Sequence, residues 1–153
     1  MNGNISSLIE RLSSKDPNDA YQALLNLLEE SKLSPSVYKF FGTFVPMIND
    51  SNSYIRTRGL LLIAANAKWD TENKIDGIIG KYLNHITDEK PITARQCIKS
   101  LPAIAKNKPN LRNVIKEALS CADLSKYKEN MQSLILKDIQ KTLDDISEIK
   151  QKS

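Results

Sequence analysis

The chain repeats itself every 37 residues, and within its 153 residues no other feature constrains the fold as much. At that step Tyr21, Arg58, Arg95 and Gln132 coincide, and one helical turn later so do Leu24, Leu61, Ile98 and Ile135. A further turn on, Leu28, Ala65, Pro102 and Ile139 coincide. The second half of each unit follows the same step, through Phe41, Ile78 and Ile115 and through Leu8, Val45, Tyr82 and Leu119. Apolar positions three to four residues apart define one face of an amphipathic helix, so each unit reads as a pair of such helices.

Turn and cap residues fall between the stripes: Asp16-Pro17, Ser34-Pro35, Asp50 to Ser53, Asp70-Thr71, Asp88 to Pro91 and Lys108 to Asn110. Ser, Asp and Asn accept from free N–H groups at helix starts, and Pro suits the first helical position. Helices are expected over 5–13, 17–30, 35–49, 53–68, 71–86, 91–106, 110–121 and 125–149. Pro46 and Pro102 fall inside two of them and should kink or shorten them. A pair of such helices cannot bury its stripe alone and needs a neighbour on either side. The expectation is an all-α, right-handed α-α superhelix of about three hairpins (units 16–52, 53–89 and 90–126) within one domain spanning 1–153. Helices 5–13 and 125–149 would cap it, the latter with Met131, Ile135, Ile139, Leu143 and Ile146 turned inward.

Composition agrees. Aromatic residues make up only 6% of the chain, with 5 glycines and 6 prolines, which disfavours a many-turned β-sandwich. The longest apolar stretch, Gly59 to Ala67, contains Asn66 and falls short of the ~18 residues of a membrane span. Met1-Asn2-Gly3-Asn4 has neither the basic start nor the apolar run of a secretory signal, so the expected compartment is cytoplasmic, with no membrane contact. Cys97 and Cys121 fall on apolar helix faces without metal-ligand spacing, and one histidine cannot complete a site. Both read as buried free thiols, with no metal and no cofactor.

At Asp50-Ser51-Asn52-Ser53-Tyr54-Ile55-Arg56, followed by Gly59, Leu60 and Ile63, the sequence resembles the turn and first helix of HEAT repeats. In the unit at Asp88 the aliphatic-Arg pair becomes Ile92-Thr93 with Arg95 displaced, and in the unit at Asp16 the arginine is absent. The resemblance implies that Asp50 and Arg56 are structural, hydrogen-bonding between neighbouring units. Arg58 and Arg95 either form a ladder of the same kind or add to a basic face.

Hydrolase elbows, phosphate-cradling glycine loops, dinucleotide fingerprints and paired-histidine metal motifs are missing from the sequence. The resemblance extends in repeat type to helical-repeat DNA glycosylases, which implies one catalytic reading, with Trp69 and Asp70 near Lys68, Lys74 and Lys81. There a carboxylate stabilises positive charge on the sugar and an aromatic face holds the damaged nucleotide. The alternative is that Asp70 caps the following helix. The single His85 has no acid or nucleophile in sequence reach.

The reading preferred here is a non-catalytic scaffold that binds a protein partner. In HEAT stacks the second helices line the concave side, which implies a groove formed by Tyr38, Lys39, Thr43, Lys74, Lys81, Asn84, Arg112, Asn113 and Lys116. Tyr38 is either an exposed anchor or a core residue beside Phe41. Residues 51–125 carry twelve basic against seven acidic groups, so Lys74, Lys81, Arg112 and Lys116 also suit nucleic acid. The expected state is a monomer or weak homo-oligomer.

Overall fold

In a computed structural model, described here for residues 4–149, the chain is all-helical, with no strand among the described residues. The Met1-Asn2-Gly3 part of the leader reading lies outside them. The chain divides into two compact units between Lys74 and Ile75.

The first unit holds α1 (Ile5–Arg11), α2 (Pro17–Leu33), α3 (Phe41–Met47) and α4 (Ser53–Ala65). Its starts are chemically marked. Asp16 accepts from the N–H of Asn18 and Asn52 from that of Tyr54, each closing a first turn. Helix α1 packs on α2, and α4 packs on both α2 and α3. Leu12, Leu27, Phe44, Ile48, Leu60 and Ile63 fill the interior, each stabilising by roughly 1.5–3 kcal/mol relative to exposure. Gly59 is required where α4 crosses α3, because a Cβ there meets the Met47 Cβ at 2.8 Å and the Phe44 carbonyl at 3.1 Å.

The second unit holds α5 (Lys74–Leu83, whose first residue closes the preceding unit), α6 (Pro91–Asn107), α7 (Arg112–Ser120) and α8 (Glu129–Ser147). Helix α6 is its centre, packed against both α7 and α8 and lined by Cys97, Ile98, Leu101 and Ile104. Pro102 does not shorten α6, which runs on to Asn107. The proline has no N–H to give the Ile98 carbonyl, and the buried Thr142 hydroxyl of α8 donates to that carbonyl at 3.2 Å. Thr142 is accordingly buried on α8 with Ile135, Ile139 and Ile146, whereas Leu143 and Met131, expected inside, are half-buried.

The second helix of each expected pair is shorter than its stripe suggests, because part of it winds as a 3-10 turn. Tyr38–Phe40 precedes α3, Asn84–Thr87 follows α5 and Pro109–Leu111 precedes α7, while Ala67–Trp69 follows α4. Tighter winding changes which side chains share a face. Cys121 is a second correction: it is the C-cap of α7, one step beyond the last helical residue, and is exposed where Cys97 is buried.

Candidate functional site

Of the expected repeat residues, Arg56 is buried, and its Nη1 donates to the carbonyls of Asp50 and Ser51 at 3.0 and 3.1 Å. The Asp50 carboxylate closes its own turn by accepting from the N–H of Asn52 at 2.8 Å. Arg58 and Arg95, one period apart, both turn inward. Arg58 donates to the Leu12 carbonyl at the end of α1, at 2.8 Å. Arg95 pairs with Asp138 of α8, its Nε 2.6 Å from the carboxylate, which raises the Arg95 pKa further.

Tyr38 is buried, 5.7 Å from the Phe41 ring centroid, and its hydroxyl donates to Asp70 at 2.6 Å. Burial first, then the hydrogen bond and charge of Asp70, push that hydroxyl well above its ordinary pKa. Of the two alternatives for Tyr38, the core position is therefore the one observed, because the 3-10 turn rotates the side chain inward.

Asp70 is itself buried and also accepts from the N–H of Lys74 at 2.8 Å, at the start of α5. Asn73 supplies the left-handed turn before it, at φ 56°, a conformation asparagine tolerates better than most residues. This is the capping geometry. Trp69 donates from Nε1 to the Ser31 carbonyl at 2.7 Å, and Lys68 donates to that of Lys32 at 2.9 Å while lying 4.9 Å over the indole. Both close the C-terminal end of α2, whose last carbonyls lack helical partners.

The expected groove residues divide in the same way. Arg112 closes the end of α6, donating to the carbonyls of Ala105 and Lys106 at 2.7 and 3.4 Å. The Lys74 ammonium lies 5.0 Å over Tyr38 and 3.7 Å from Glu72. Lys39, Thr43, Lys81, Asn84 and Asn113 are exposed and Lys116 is half-exposed. His85, part-buried, faces the Asp88 carboxylate at 2.7 Å.

Asn84 lines a cavity of about 400 Å³ in the second unit. Apolar Leu83, Ile86, Ala118 and Ala122 contribute to it, together with Asn84, Thr87, Cys121, Asp123, Ser125 and Lys126. Two hydrogen bonds fasten its sides, from Lys126 to the Thr87 carbonyl and from the Tyr127 hydroxyl to the Asp88 carbonyl. Burial, followed by the Asp88 charge, pushes the Tyr127 hydroxyl up to about 12. Asp123 accepts from the N–H of Ser125 at 3.0 Å, and that bond holds its pKa below the usual carboxylate value. Sequence reasoning named Asn84 but missed the rest of the lining. The Asp123-Leu124-Ser125 turn is the only signal that pointed there.

Among the described residues no group of His, Cys, Asp or Glu is arranged to hold a metal, and no helix is long and apolar enough to cross a membrane. Comparison with protein-family models, with curated proteins and with solved structures produced no match.

Proposed function

We propose that the chain is a HEAT-like helical-repeat module, a right-handed superhelix of hairpins, that binds a protein partner through the outward faces of α5 and α7. One observation carries the reading. Lys81 on α5, Asn84 in the turn directly after it and Asn113 on α7 stand exposed, while the same helices commit Ile75, Tyr82, Ile115 and Leu119 to the interior. A repeat that buries one stripe and leaves the other without structural duty is free to use it for recognition. Capture on the tagged chain, followed by calorimetric titration of the purified partner, tests it. Asn84→Arg and Asn113→Arg together should weaken binding by about tenfold or more with an unchanged melting temperature. An unchanged affinity would move the interface elsewhere.

A second reading, nucleic-acid binding, draws on Lys81 and Lys116, which have no carboxylate partner among the described residues. Fluorescence-anisotropy titration with duplex and single-stranded DNA and RNA decides it. Saturable binding near physiological salt supports that reading, and no binding at low salt removes it.

A further inference from the structure

Arg58 and Arg95 occupy the same position of the 37-residue repeat but meet different partners. Arg95 has an anion: its Nε and Nη2 donate to the two carboxylate oxygens of Asp138, at 2.6 and 3.4 Å. Arg58 has none among the described residues. Its Nη1 donates to the Leu12 carbonyl at 2.8 Å, and the rest of its fork makes no hydrogen bond to them. Burial pushes the Arg58 guanidinium down from its ordinary value, where the Asp138 carboxylate holds Arg95 up. A part-buried arginine with most of its N–H groups unspent is a site short of an anion. The acids closest in the chain do not fill it. Asp19 is held by Arg11 at 2.8 Å, Asp16 closes the first turn of α2, and Glu10 is exposed.

The nearest hydroxyl is fixed by covalent geometry. Ser13 is bonded to the very carbonyl that Arg58 holds, so its Cα lies about 3 Å from that oxygen. Its side chain is exposed and its hydroxyl makes no hydrogen bond among the described residues, whereas the Ser14 hydroxyl accepts from the N–H of Asp16 at 3.2 Å. Ser13 lies in the turn between α1 and α2, outside either helix, where the main chain is open to a modifying enzyme. A phosphate there carries close to two negative charges and three acceptor oxygens, the group that a guanidinium binds through paired N–H donors. The C-terminal end of α1 and the carboxylates of Glu10 and Asp16 oppose it. Both carboxylates are exposed and screened by solvent, while Arg58 is partly desolvated, where a charge-assisted bond is stronger.

We propose that Ser13 is a phosphorylation site and that Arg58 receives the phosphate, fastening the end of α1 to α4. In the modification the Ser13 oxygen bonds to the γ-phosphorus of a nucleoside triphosphate as the bond from that phosphorus to the bridging oxygen breaks. The nucleoside diphosphate leaves, and the hydroxyl proton passes to the base of the kinase. The result is a regulated junction. Helix α1 packs on α2 and buries only Ile5 of its own residues, so a further bond to α4 is a large part of what holds it.

The full chain with phosphoserine incorporated at position 13 supplies the test. Followed by phosphorus NMR, the second ionisation of the phosphate, ordinarily at about 6, should lie lower by about 0.5 or more in the folded chain than in the same chain unfolded in urea. Because the unfolded chain is the reference, this readout needs no substitution. Amide exchange in α1 should slow by about tenfold or more on phosphorylation. Arg58→Gln, which keeps a donor for the Leu12 carbonyl and removes the charge, should abolish both effects, with circular dichroism confirming that it folds. Incubated with ATP and an extract of the cells that make it, the unmodified chain should gain phosphate on Ser13 rather than Ser14, read by peptide mapping. A phosphate ionisation unchanged or raised by folding, α1 exchange that does not slow, or effects that survive Arg58→Gln overturn Arg58 as the receiver. Phosphate on other hydroxyls, or on none, overturns Ser13 as the site. Inorganic phosphate that binds the unmodified chain saturably and slows α1 exchange as much would make Arg58 a site for a free anion and overturn the proposal as well.

Discussion

Helices α2 and α6 are each 17 residues long, begin on prolines 74 residues apart, and end on carbonyls at matching positions of the repeat. The two units nonetheless close those ends differently. In the first, the Ser31 and Lys32 carbonyls are taken by Trp69 and Lys68, from the turn that follows α4. In the second, the matching Ala105 and Lys106 carbonyls are taken by Arg112 alone, from the turn just after α6. The repeat therefore preserves a physical need, the unpaired carbonyls of a helix end, and leaves the chemistry of the answer free. The interiors differ as well. The first unit buries a phenol on a carboxylate, Tyr38 on Asp70, while the second buries Tyr82 on the neutral hydroxyl of Ser100, 2.6 Å away, and relies on ion pairs elsewhere. Lys108, buried, lies 2.9 Å from Asp76, and Arg95 meets Asp138.

The contrast can be broken most directly at the tyrosines. Tyr38→Ala should cost about 3–5 kcal/mol, the loss expected for a buried aromatic side chain. Trp69, the only tryptophan, lies in the first unit, so its fluorescence during denaturant unfolding reads this loss. A loss under about 1 kcal/mol would return Tyr38 to the surface. Tyr38→Phe should cost about 1.5–3 kcal/mol because it deprives a charged acceptor, whereas Tyr82→Phe should cost only about 1 kcal/mol.

The ion pairs of the second unit predict a difference in acid. Burial works to raise the Asp76 pKa, but hydrogen bonds from Lys108 and Asn110 and the Lys108 charge outweigh it and hold the group below its ordinary 3.8. Its contribution is present above the unfolded value and is lost as pH falls through the lower folded one. Asp76→Ala should therefore flatten the acid limb of a stability-pH profile read by circular dichroism; an unchanged limb would show the pair to be energetically silent. At the alkaline end the sign reverses. Tyr127 at about 12 stabilises the fold fully below about 10, and that contribution declines as pH climbs towards its folded value. Tyr127→Phe should remove this part of the alkaline decline and leave the parts due to Tyr38 and Tyr82, whose hydroxyls are also pushed up by burial.

Glycines give the smallest and cleanest contrast. Gly59→Ala should destabilise the first unit by about 1–3 kcal/mol through its clash with Met47 and Phe44. Gly80→Ala, in open space on α5, should stabilise the second by about 0.5–1 kcal/mol. Equal signs in thermal unfolding would contradict the packing described at one of the two sites.

What the sequence determined by itself is the helical content, the buried stripe and most of the helix starts, since these depend on local spacing and capping chemistry. The series Leu24, Ile98 and Ile135 is buried as its period requires, with Leu61 half-buried. The tertiary structure decided what depends on distant partners or on a change of winding. A phase taken at 100° per residue places Tyr38 on the outer face, but the 3-10 turn at Tyr38–Phe40 and a carboxylate 32 residues away draw it inside. Thr142 is buried because Pro102, on another helix, leaves a carbonyl to be satisfied, and no pattern within α8 records that. Arg112 has the composition of a binding residue and the duty of a helix cap. The cavity beside Asn84 arises only when the turn after α5 and the connection after α7 are fastened together, by hydrogen bonds between residues 39 apart. Local sequence carries the preference of each segment for its own conformation, whereas a polar side chain takes its role from whichever unpaired group the fold sets before it.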